Sequence, residues 1–547
     1  MAEGADDPTR GLSPDELATA LRVLARVAED RAVLAGVDAE ARAQLQRLAG
    51  EIARPDLKER KKLQKALLKG EKTARKERDE ALRRDTGIQR LRAAPVFVTP
   101  LPELPPPGTD ASAWWPAPPA LAAPSAAEDR PEPAPEPAPE PAPEPAMDGR
   151  ELLEPRKCYV CKGEYRRLHP FYDQLCPACG QENFARRTAT VDLRGRVALV
   201  TGARVKIGYQ AAILLLRSGC RVVACTRFPH DAAARYAREP DFDAWKDRLT
   251  IHGIDLRHTP SVELLCQRLD ATLPRLDFQL HNACQTVRRP PGFYEHLLAR
   301  EHAPITSLPP AERELLREHE ALRASLSGAS AVGVADAPLL TQAASPADLL
   351  LPDQAAIEIF PRGVLDQDLQ QVDLRTHNSW RLSLAEVPTI ELLEVLLVNA
   401  TAPFVMTARL KALMLRAREA PPGTATSADP AKHVVLVSAM EGQFYREHKT
   451  DRHPHTNMAK AALNMIVRTS APDYAKDGIH LNAVDTGWVT DEDPAHLAAR
   501  KVEEHAFAPP LDVVDGAARI VAPIFDGFRE GRHEAGLFYK DYRPAPW

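Results

Sequence analysis

Aromatic residues are scarce in this 547-residue chain, where Phe, Trp and Tyr together make up 5%. Proline is abundant, at 50 residues. Few large rings and many φ-fixed residues argue against one globular fold throughout. A charge imbalance is also missing. The 71 Lys plus Arg and 76 Asp plus Glu leave a net charge of -5, so the chain as a whole has no electrostatic reason to bind nucleic acid or membranes. No apolar run reaches the roughly 20 residues that cross a bilayer. The opening Met1-Ala2-Glu3-Gly4-Ala5-Asp6-Asp7 is acidic and has no h-region, so no secretory signal is expected there. A disulfide framework is not expected either. Of eight cysteines, four form one tight group, the pattern of a metal site in a reducing compartment. The expectation is a cytoplasmic protein. At roughly 150 residues per domain its length allows two to four domains.

Three parts are legible. Residues 1–94 form a helical N-terminal region. Ser13-Pro14-Asp15-Glu16 is a capping box with Pro at the first helical position. Leu17, Leu21, Leu24 and Val27 follow at helical spacing. Gly36 and Gly50 predict breaks, and Pro55 starts a third segment. Leu57 to Arg84 carries 12 Lys or Arg against five acids, with a thin stripe at Leu63, Leu67 and Leu68. A solvated helix packing on a hairpin mate or protein partner is preferred there over a nucleic-acid site, because charge runs are usually solvated faces. Residues 95–150 form a Pro-rich linker. Its Glu-Pro-Ala-Pro repeat from Glu132 to Pro145 reads as an extended polyproline spacer, interrupted upstream by Trp114-Trp115.

From about residue 156 the pattern is that of a folded body. Cys158-x2-Cys161 and Cys176-x2-Cys179 are separated by fourteen residues. Four soft thiolates at this spacing predict a zinc ribbon over 156–187, with closed tetrahedral coordination of Zn²⁺ and a structural role. Gly163 and Gly180 read as knuckle glycines turning amides toward sulfur, and His169 as a packing residue. The basic neighbours Lys157, Lys162, Arg166, Arg167, Arg186 and Arg187 suit either a partner or a clip on the body that follows.

That body, 190–547, alternates strands and helices. Val197–Val200, Val222–Cys225, Leu249–Ile251, Phe278–Leu280, Val434–Val437 and Ile479–Val484 are the predicted strands. The alternation predicts an α/β fold with a Rossmann-like, doubly wound parallel sheet. Thr201-Gly202-Ala203-Arg204-Val205-Lys206-Ile207-Gly208 leaves the first strand and opens a helix, the place where a dinucleotide pyrophosphate sits.

Taken together, residues 192–542 resemble the short-chain dehydrogenase/reductase family. Thr201, Gly202 and Gly208 match its Thr-Gly-x3-Gly-x-Gly turn, and Asp255-Leu256 its acidic position after the third strand. Asn282-Ala283 matches its Asn-Ala, and Asn399 its helix-four Asn. Ser438 matches its serine after the fifth strand. Thr486-Gly487 stands in place of its Pro-Gly, and Lys460 matches its helix-five lysine. The resemblance implies cofactor contacts from these residues together with Arg204, Lys206, Ile207 and Arg227. It implies a catalytic set of Asn399, Ser438, Thr456 and Lys460, a small-molecule carbonyl or alcohol substrate, and possible homo-oligomers.

Departures mark the site as atypical. Lys206 replaces the middle glycine of the turn. Thr456 stands where the family has its tyrosine, and a threonine hydroxyl is a poor general acid near neutrality. Tyr445, His448, His453 and His455 lie just upstream as substitutes, the histidines being best by pKa. The second strand ends in Cys225-Thr226-Arg227 with no acid, so NADP(H) is favoured over NAD(H). Residues 288–376 are an insertion beside the ligand crevice, expected to be a lid, a subsite or an oligomer contact. It carries a helix from Pro309 to Leu326. The leading expectation is an NADP(H)-dependent oxidoreductase. The rivals are an inactive NADP(H)-binding sensor or scaffold that recruits partners through ribbon and N-terminal helices, and a nucleic-acid-associated protein.

Overall fold

The computed structural model describes residues 13–101, 150–326, 359–361, 363–416, 429–445, 449–505 and 508–547. The Glu-Pro-Ala-Pro repeat, Trp114-Trp115, His448 and the middle of the insertion lie outside these residues. The chain divides into two compact units, Met1–Arg78 and Asp79–Trp547, with the boundary inside a helix.

The first unit is helical. In α1 (Pro14–Glu29) the Glu16 amide donates to Ser13 Oγ at 3.3 Å and the Ser13 amide to Glu16 Oε2 at 2.6 Å, so the capping box forms. A 3-10 turn at Arg31–Gly36 ends in the glycine break. Gly50 does not break the chain: α2 (Ala39–Ala53) runs through it. One interior glycine costs a helix only about 1 kcal/mol, and the N-cap Asp38 compensates by accepting from the Ala41 amide at 2.8 Å. The basic segment is a single helix, α3 (Leu57–Arg84).

The second unit begins with the end of α3 and α4 (Gly87–Ala93). A hairpin of β1 (Glu151–Lys157) and β2 (Glu164–Arg167) and a helix α5 (Pro177–Arg186) follow. Among the described residues the main sheet has eight strands: β3 (Val197–Thr201), β4 (Arg221–Thr226), β5 (Leu249–Gly253), β6 (Phe278–His281), β7 (Lys432–Ser438), β8 (Ile479–Asp485), β9 (Phe538–Lys540) and β10 (Arg543–Ala545). Their order is β10-β9-β8-β7-β6-β3-β4-β5, parallel except for the β9–β10 hairpin. Register pairs Leu199 with Val223 and Gln279, and Val437 with Val484.

The two-residue period of β3 feeds two cores. Ala198 and Val200 pack with α6 (Lys206–Arg217), α7 (Pro229–Tyr236) and a late helix, Val513–Glu530. Val197 and Leu199 pack with α8 (Thr259–Thr272) and two later helices, Ala402–Arg409 and Pro454–Lys476. The strand order reverses between β3 and β6, which places the ligand crevice at their carboxyl ends.

The insertion contributes α9 (Glu295–Glu301) and α10 (Pro310–Leu326). The Gly253 amide of edge strand β5 donates to His319 Nδ1 of α10 at 3.2 Å, so α10 covers the open sheet edge. Then come α11 (Thr389–Leu396), a π-turn at Leu397–Thr401, α12 (Ala402–Arg409) and α13 (Lys411–Leu415). By length and composition Thr389–Arg409 could cross a membrane. It buries Glu391, Glu394 and Asn399 and packs on the sheet layer instead. The chain ends with α14 (Pro454–Lys476), α15 (Ala495–His505), α16 (Val513–Glu530) and the last two strands.

The cysteine ribbon is docked on this body. Arg187 pairs with Asp512 at 2.7 Å and Asp515 at 2.9 Å, at the start of α16. Arg519 Nη2 donates to Asn183 Oδ1 at 2.8 Å. Leu168, Tyr172 and Leu175 share a core with Val489, Leu511 and Val514. Two of the ribbon's basic residues therefore hold it to its own body: Arg187, and Arg186 through Asp526 at 2.8 Å.

Candidate functional site: a dinucleotide crevice and a four-thiol centre

The phosphate turn joins β3 to α6. Gly202 has φ 67°, and a Cβ there would lie 2.9 Å from Ala283 Cα. At Gly208 a Cβ would lie 2.4 Å from the Gly202 carbonyl oxygen and 2.3 Å from Asn282 Nδ2. Both positions require glycine. Lys206, in place of the middle glycine, keeps the left-handed backbone, with φ 56°. The turn retains its path at a strain of about 1–2 kcal/mol. Ile207 packs on the α6–α16 core. Thr201 Oγ1 accepts from the Ala283 amide at 3.1 Å, and Asn282 Nδ2 donates to the Thr201 carbonyl at 3.3 Å, so the β3 and β6 ends form one floor.

Two arginines were expected near the adenosine end. Arg204 is buried and committed to protein: it donates to Asp231 Oδ2 and Gln370 Oε1, each at 2.7 Å. Arg227 sits at the end of β4, its guanidinium over the Tyr294 ring at 4.7 Å and bonded to the Tyr294 hydroxyl at 2.6 Å. Among the described residues no carboxylate pairs directly with Arg227. Asp255 is buried under a bidentate contact from Arg257, and Leu256 is in the core.

Beyond β8, Thr486 and Gly487 (φ 76°) are held by Asp485, whose Oδ1 accepts from the Gly487 amide at 2.6 Å and Oδ2 from the Met440 amide at 2.6 Å. Farther along the same loop is Glu492, held by Thr490 at 2.8 Å and Thr286 at 3.3 Å. Burial works to lower the Lys206 ammonium pKa, but Glu492, Asp368 and Asp366 outweigh it and raise it. Asp366 and Asp368 belong to the insertion. Gln370 on Arg204 and the Leu369 carbonyl 3.4 Å from Arg235 fasten that loop beside the turn.

The positions expected to be catalytic lie on the π-turn after α11, at the end of β7 and on α14. Asn399, on the π-turn, accepts from the Gln285 amide at 2.7 Å and donates to its carbonyl at 3.1 Å. Ser438 donates to Asn464 Oδ1 at 2.6 Å. Lys460 Nζ donates to the Val437 carbonyl at 2.8 Å. Thr456 is one turn before Lys460 on the same helix face. Its hydroxyl is buried and has no hydrogen-bond partner among the described residues.

The proposed substitutes separate. Tyr445 is 91% exposed. His453 is stacked flat on Trp380, ring centres 3.8 Å apart. His455 is buried with Nε2 3.4 Å from Glu391 Oε1. Burial works to raise the Glu391 carboxyl pKa, but His455 and Ser379 outweigh it and hold it low.

Sequence reasoning passed over Gln285, Tyr294, Glu391, Asn464 and Glu492. Glu492 could have been found by its place five residues after Gly487. The others gave no local signal, because each acts across the chain.

The four thiols of Cys158, Cys161, Cys176 and Cys179 lie within 4.8 Å of one another, with Cys161 and Cys176 sulfurs 3.8 Å apart. A tetrahedron with metal–sulfur bonds of about 2.3 Å has edges of about 3.8 Å, so the donor set fits a four-coordinate soft metal. Lys162, at φ 62°, makes the first knuckle, and the Cys176 amide donates to Cys158 Sγ at 3.3 Å. The Gly180 requirement is different from that expected: a Cβ there would strike the His169 ring at 2.6 Å. His169 is a buried packing residue whose Nδ1 accepts from the Phe171 amide at 3.0 Å.

The sequence model of the short chain dehydrogenase family matches residues 196–297, the phosphate turn through the start of the insertion. The uncharacterized protein R665 of Acanthamoeba polyphaga mimivirus is 31% identical over 386 residues, 68% of this chain and 71% of that one. Dehydrogenase/reductase SDR family member 13 of Bos taurus is 38% identical over 104 residues, 18% of this chain and 27% of that one. Among solved structures, a short chain dehydrogenase of Escherichia coli CFT073 complexed with NADPH is 16% identical. That match covers 64% of this chain and 98% of that one, with a TM-score of 0.37. The chain belongs to the short-chain dehydrogenase/reductase family. What it shares with the viral relative extends well past the segment that the family model matches.

Proposed function

We propose that the protein is an NADP(H)-dependent oxidoreductase of the short-chain dehydrogenase type acting on a carbonyl or alcohol. The observation that supports it most is the buried, unpartnered Thr456 hydroxyl beside Lys460. Buried hydroxyls normally have partners, and a substrate oxygen or a water at this point satisfies it. Bound NADP(H) would supply or accept the hydride. Gly202, Lys206, Ile207 and Gly208 hold its pyrophosphate against the α6 N-terminus. Arg227 faces the 2′-phosphate, Asp255 and Leu256 flank the adenine, and Asn282, Ala283, Thr486 and Gly487 line the nicotinamide side. Lys460 binds the ribose and places positive charge next to Thr456. Asn399 fixes the Gln285 backbone at the mouth. His455, backed by Glu391, is the nearby group able to exchange the proton that Thr456 relays.

Zn²⁺ is the metal this reading assigns to the four thiols, in a structural role. It places the protein in the cytoplasm, where eight unpaired cysteines persist. Exposed Leu393, Phe404, Met458 and Met465 on α11, α12 and α14 suit a second copy of the chain.

One observation favours a second reading, an inactive NADP(H)-binding sensor or scaffold. The Ser438 hydroxyl is already spent on Asn464, and Thr456 stands one turn before Lys460 in place of a phenol. Fluorescence titration with NADPH and NADH tests the cofactor shared by both readings. Tighter NADPH binding is expected, with Arg227→Asp costing about 1.5–3 kcal/mol for NADPH alone. Equal affinity for the two cofactors would sink it. Turnover, tested with Thr456 and Lys460 variants, separates the readings.

A further inference from the structure

Helix α3 is the feature that the oxidoreductase reading leaves unused. From Leu57 to Arg78 it carries ten Lys or Arg and three acids. The expected hairpin mate is not found among the described residues: no residue from Leu57 to Arg78 is buried. Leu57, Leu63, Leu67 and Leu68 are all more than half exposed.

The charges are ordered. Lys58, Lys62, Lys65, Lys69, Lys72 and Lys76 recur at steps of four and three residues. At 100° per residue all six fall within about 40° of one line along the helix. The row is about 27 Å long at 1.5 Å per residue. Leu63, Leu67 and Ala74 lie on the opposite side. Glu59 approaches the row only at Lys62, at 4.0 Å. A straight row of ammonium groups, one per about 5 Å, suits a linear polyanion dense enough to offer each of them a phosphate. A nucleic-acid duplex carries one charge per about 1.7 Å of axis.

The side chains narrow the partner further. Leu57–Arg84 contains no aromatic residue, so it offers no platform on which single-stranded bases could stack. Lysine is a point charge without the planar fork that reads guanine edges. An amphipathic helix lying in a membrane needs a continuous apolar face, whereas on α3 the side that holds Leu63, Leu67 and Ala74 also carries Arg60, Glu71 and Arg78. We propose that the lysine row of α3 binds the phosphate backbone of a nucleic-acid duplex, without sequence preference. The net charge of -5 for the whole chain does not oppose this, because charges beyond a Debye length of about 8–10 Å are largely screened.

The test uses the full chain and a fluorescein-labelled duplex of arbitrary sequence, read by anisotropy across a KCl series. Contacts with four to six phosphates give a slope of log K against log[salt] of about -4 to -5. Replacing Lys58, Lys62, Lys65 and Lys69 by Gln should weaken binding at least tenfold at 100 mM salt, as an estimate from that counterion term, and flatten the slope to about -1. Gln is a good helix former, and the matching four-Arg variant keeps the charge and must keep the binding. Three results overturn the proposal. One is no binding at low salt. Another is binding indifferent to the Gln variant, which would move the polyanion site elsewhere. The third is capture by phosphatidylserine vesicles through these lysines with no duplex binding.

Discussion

Arg204 Nη2 donates to Gln370 Oε1 at 2.7 Å, joining the phosphate turn to the insertion across 166 residues. The same loop sets Asp366 and Asp368 in the electrostatic reach of Lys206. A dinucleotide pyrophosphate brings negative charge to that turn, so the acids oppose it. Burial pushes the Asp368 carboxyl up, and Lys206 only partly counters it. The double variant Asp366→Asn, Asp368→Asn should therefore bind NADPH more tightly. One like charge at about 8 Å and an effective dielectric of about 20 is worth roughly 2 kcal/mol, and screening reduces this to a gain of about 3- to 10-fold. A titration showing weaker binding would mean the acids organise the turn.

That loop shows where sequence reading stops. The six predicted strands, the turn glycines and the four cysteines are local patterns, and each is found where the pattern placed it. Gln370 on Arg204 and Asn464 on Ser438 are contacts between distant segments. Nothing in the residues around either partner announces them. Lys206 is an intermediate case. Its side chain is visible in the sequence as a departure, whereas its left-handed backbone is set by the glycines and strands that surround it.

The ribbon's docking ties metal binding to the stability of the whole second unit. We expect one zinc per chain, and Cys176→Ser should lose it. The Tyr159 hydroxyl accepts from the Trp488 amide at 2.9 Å, and Gln174 donates to the Ala508 carbonyl at 2.8 Å, so the ribbon braces the loop after β8. Chelation should then lower the melting temperature of the sheet along with that of the ribbon. Metal analysis and calorimetry with and without chelator check this. A full zinc complement with an unmoved sheet transition after chelation would show that the ribbon is held by its salt bridges alone.

Buried histidines predict an acid limit. Burial lowers His252 to about 4, and His281 and His319 to about 3. The unfolded chain binds protons on these rings near pH 6.5 and the folded chain does not. Their contribution is complete above pH 6.5 and is lost as pH falls toward 4 and 3. His281 bonds Gln279 at 3.1 Å and Thr407 at 3.2 Å through one nitrogen. His281→Asn should remove part of this slope, worth about 1–2 kcal/mol between pH 7 and pH 5. Urea unfolding at the two pH values measures it. Equal losses in parent and variant would assign the acid sensitivity to other groups.

The proposed chemistry rests on Thr456 and Lys460. Lys460 is buried, with its ammonium anchored on the Val437 carbonyl at 2.8 Å. Lys460→Ala should cut turnover strongly and weaken cofactor binding, since it removes the proposed ribose contact and the lysine side chain beside Thr456 together. Thr456→Ala removes only the orphaned hydroxyl. A loss of about 10²-fold or more in kcat, within the usual range for general acid–base groups, would place Thr456 in the proton path. Retained activity in Thr456→Ala that falls in His455→Gln would give the proton to the imidazole facing Glu391. Thr456→Tyr restores the family's phenol beside Lys460. If the parent reduces no aldehyde or ketone across a broad panel and this variant does, the protein binds NADP(H) without catalysis. NADPH-dependent reduction by the parent, abolished in Lys460→Ala, establishes the enzyme.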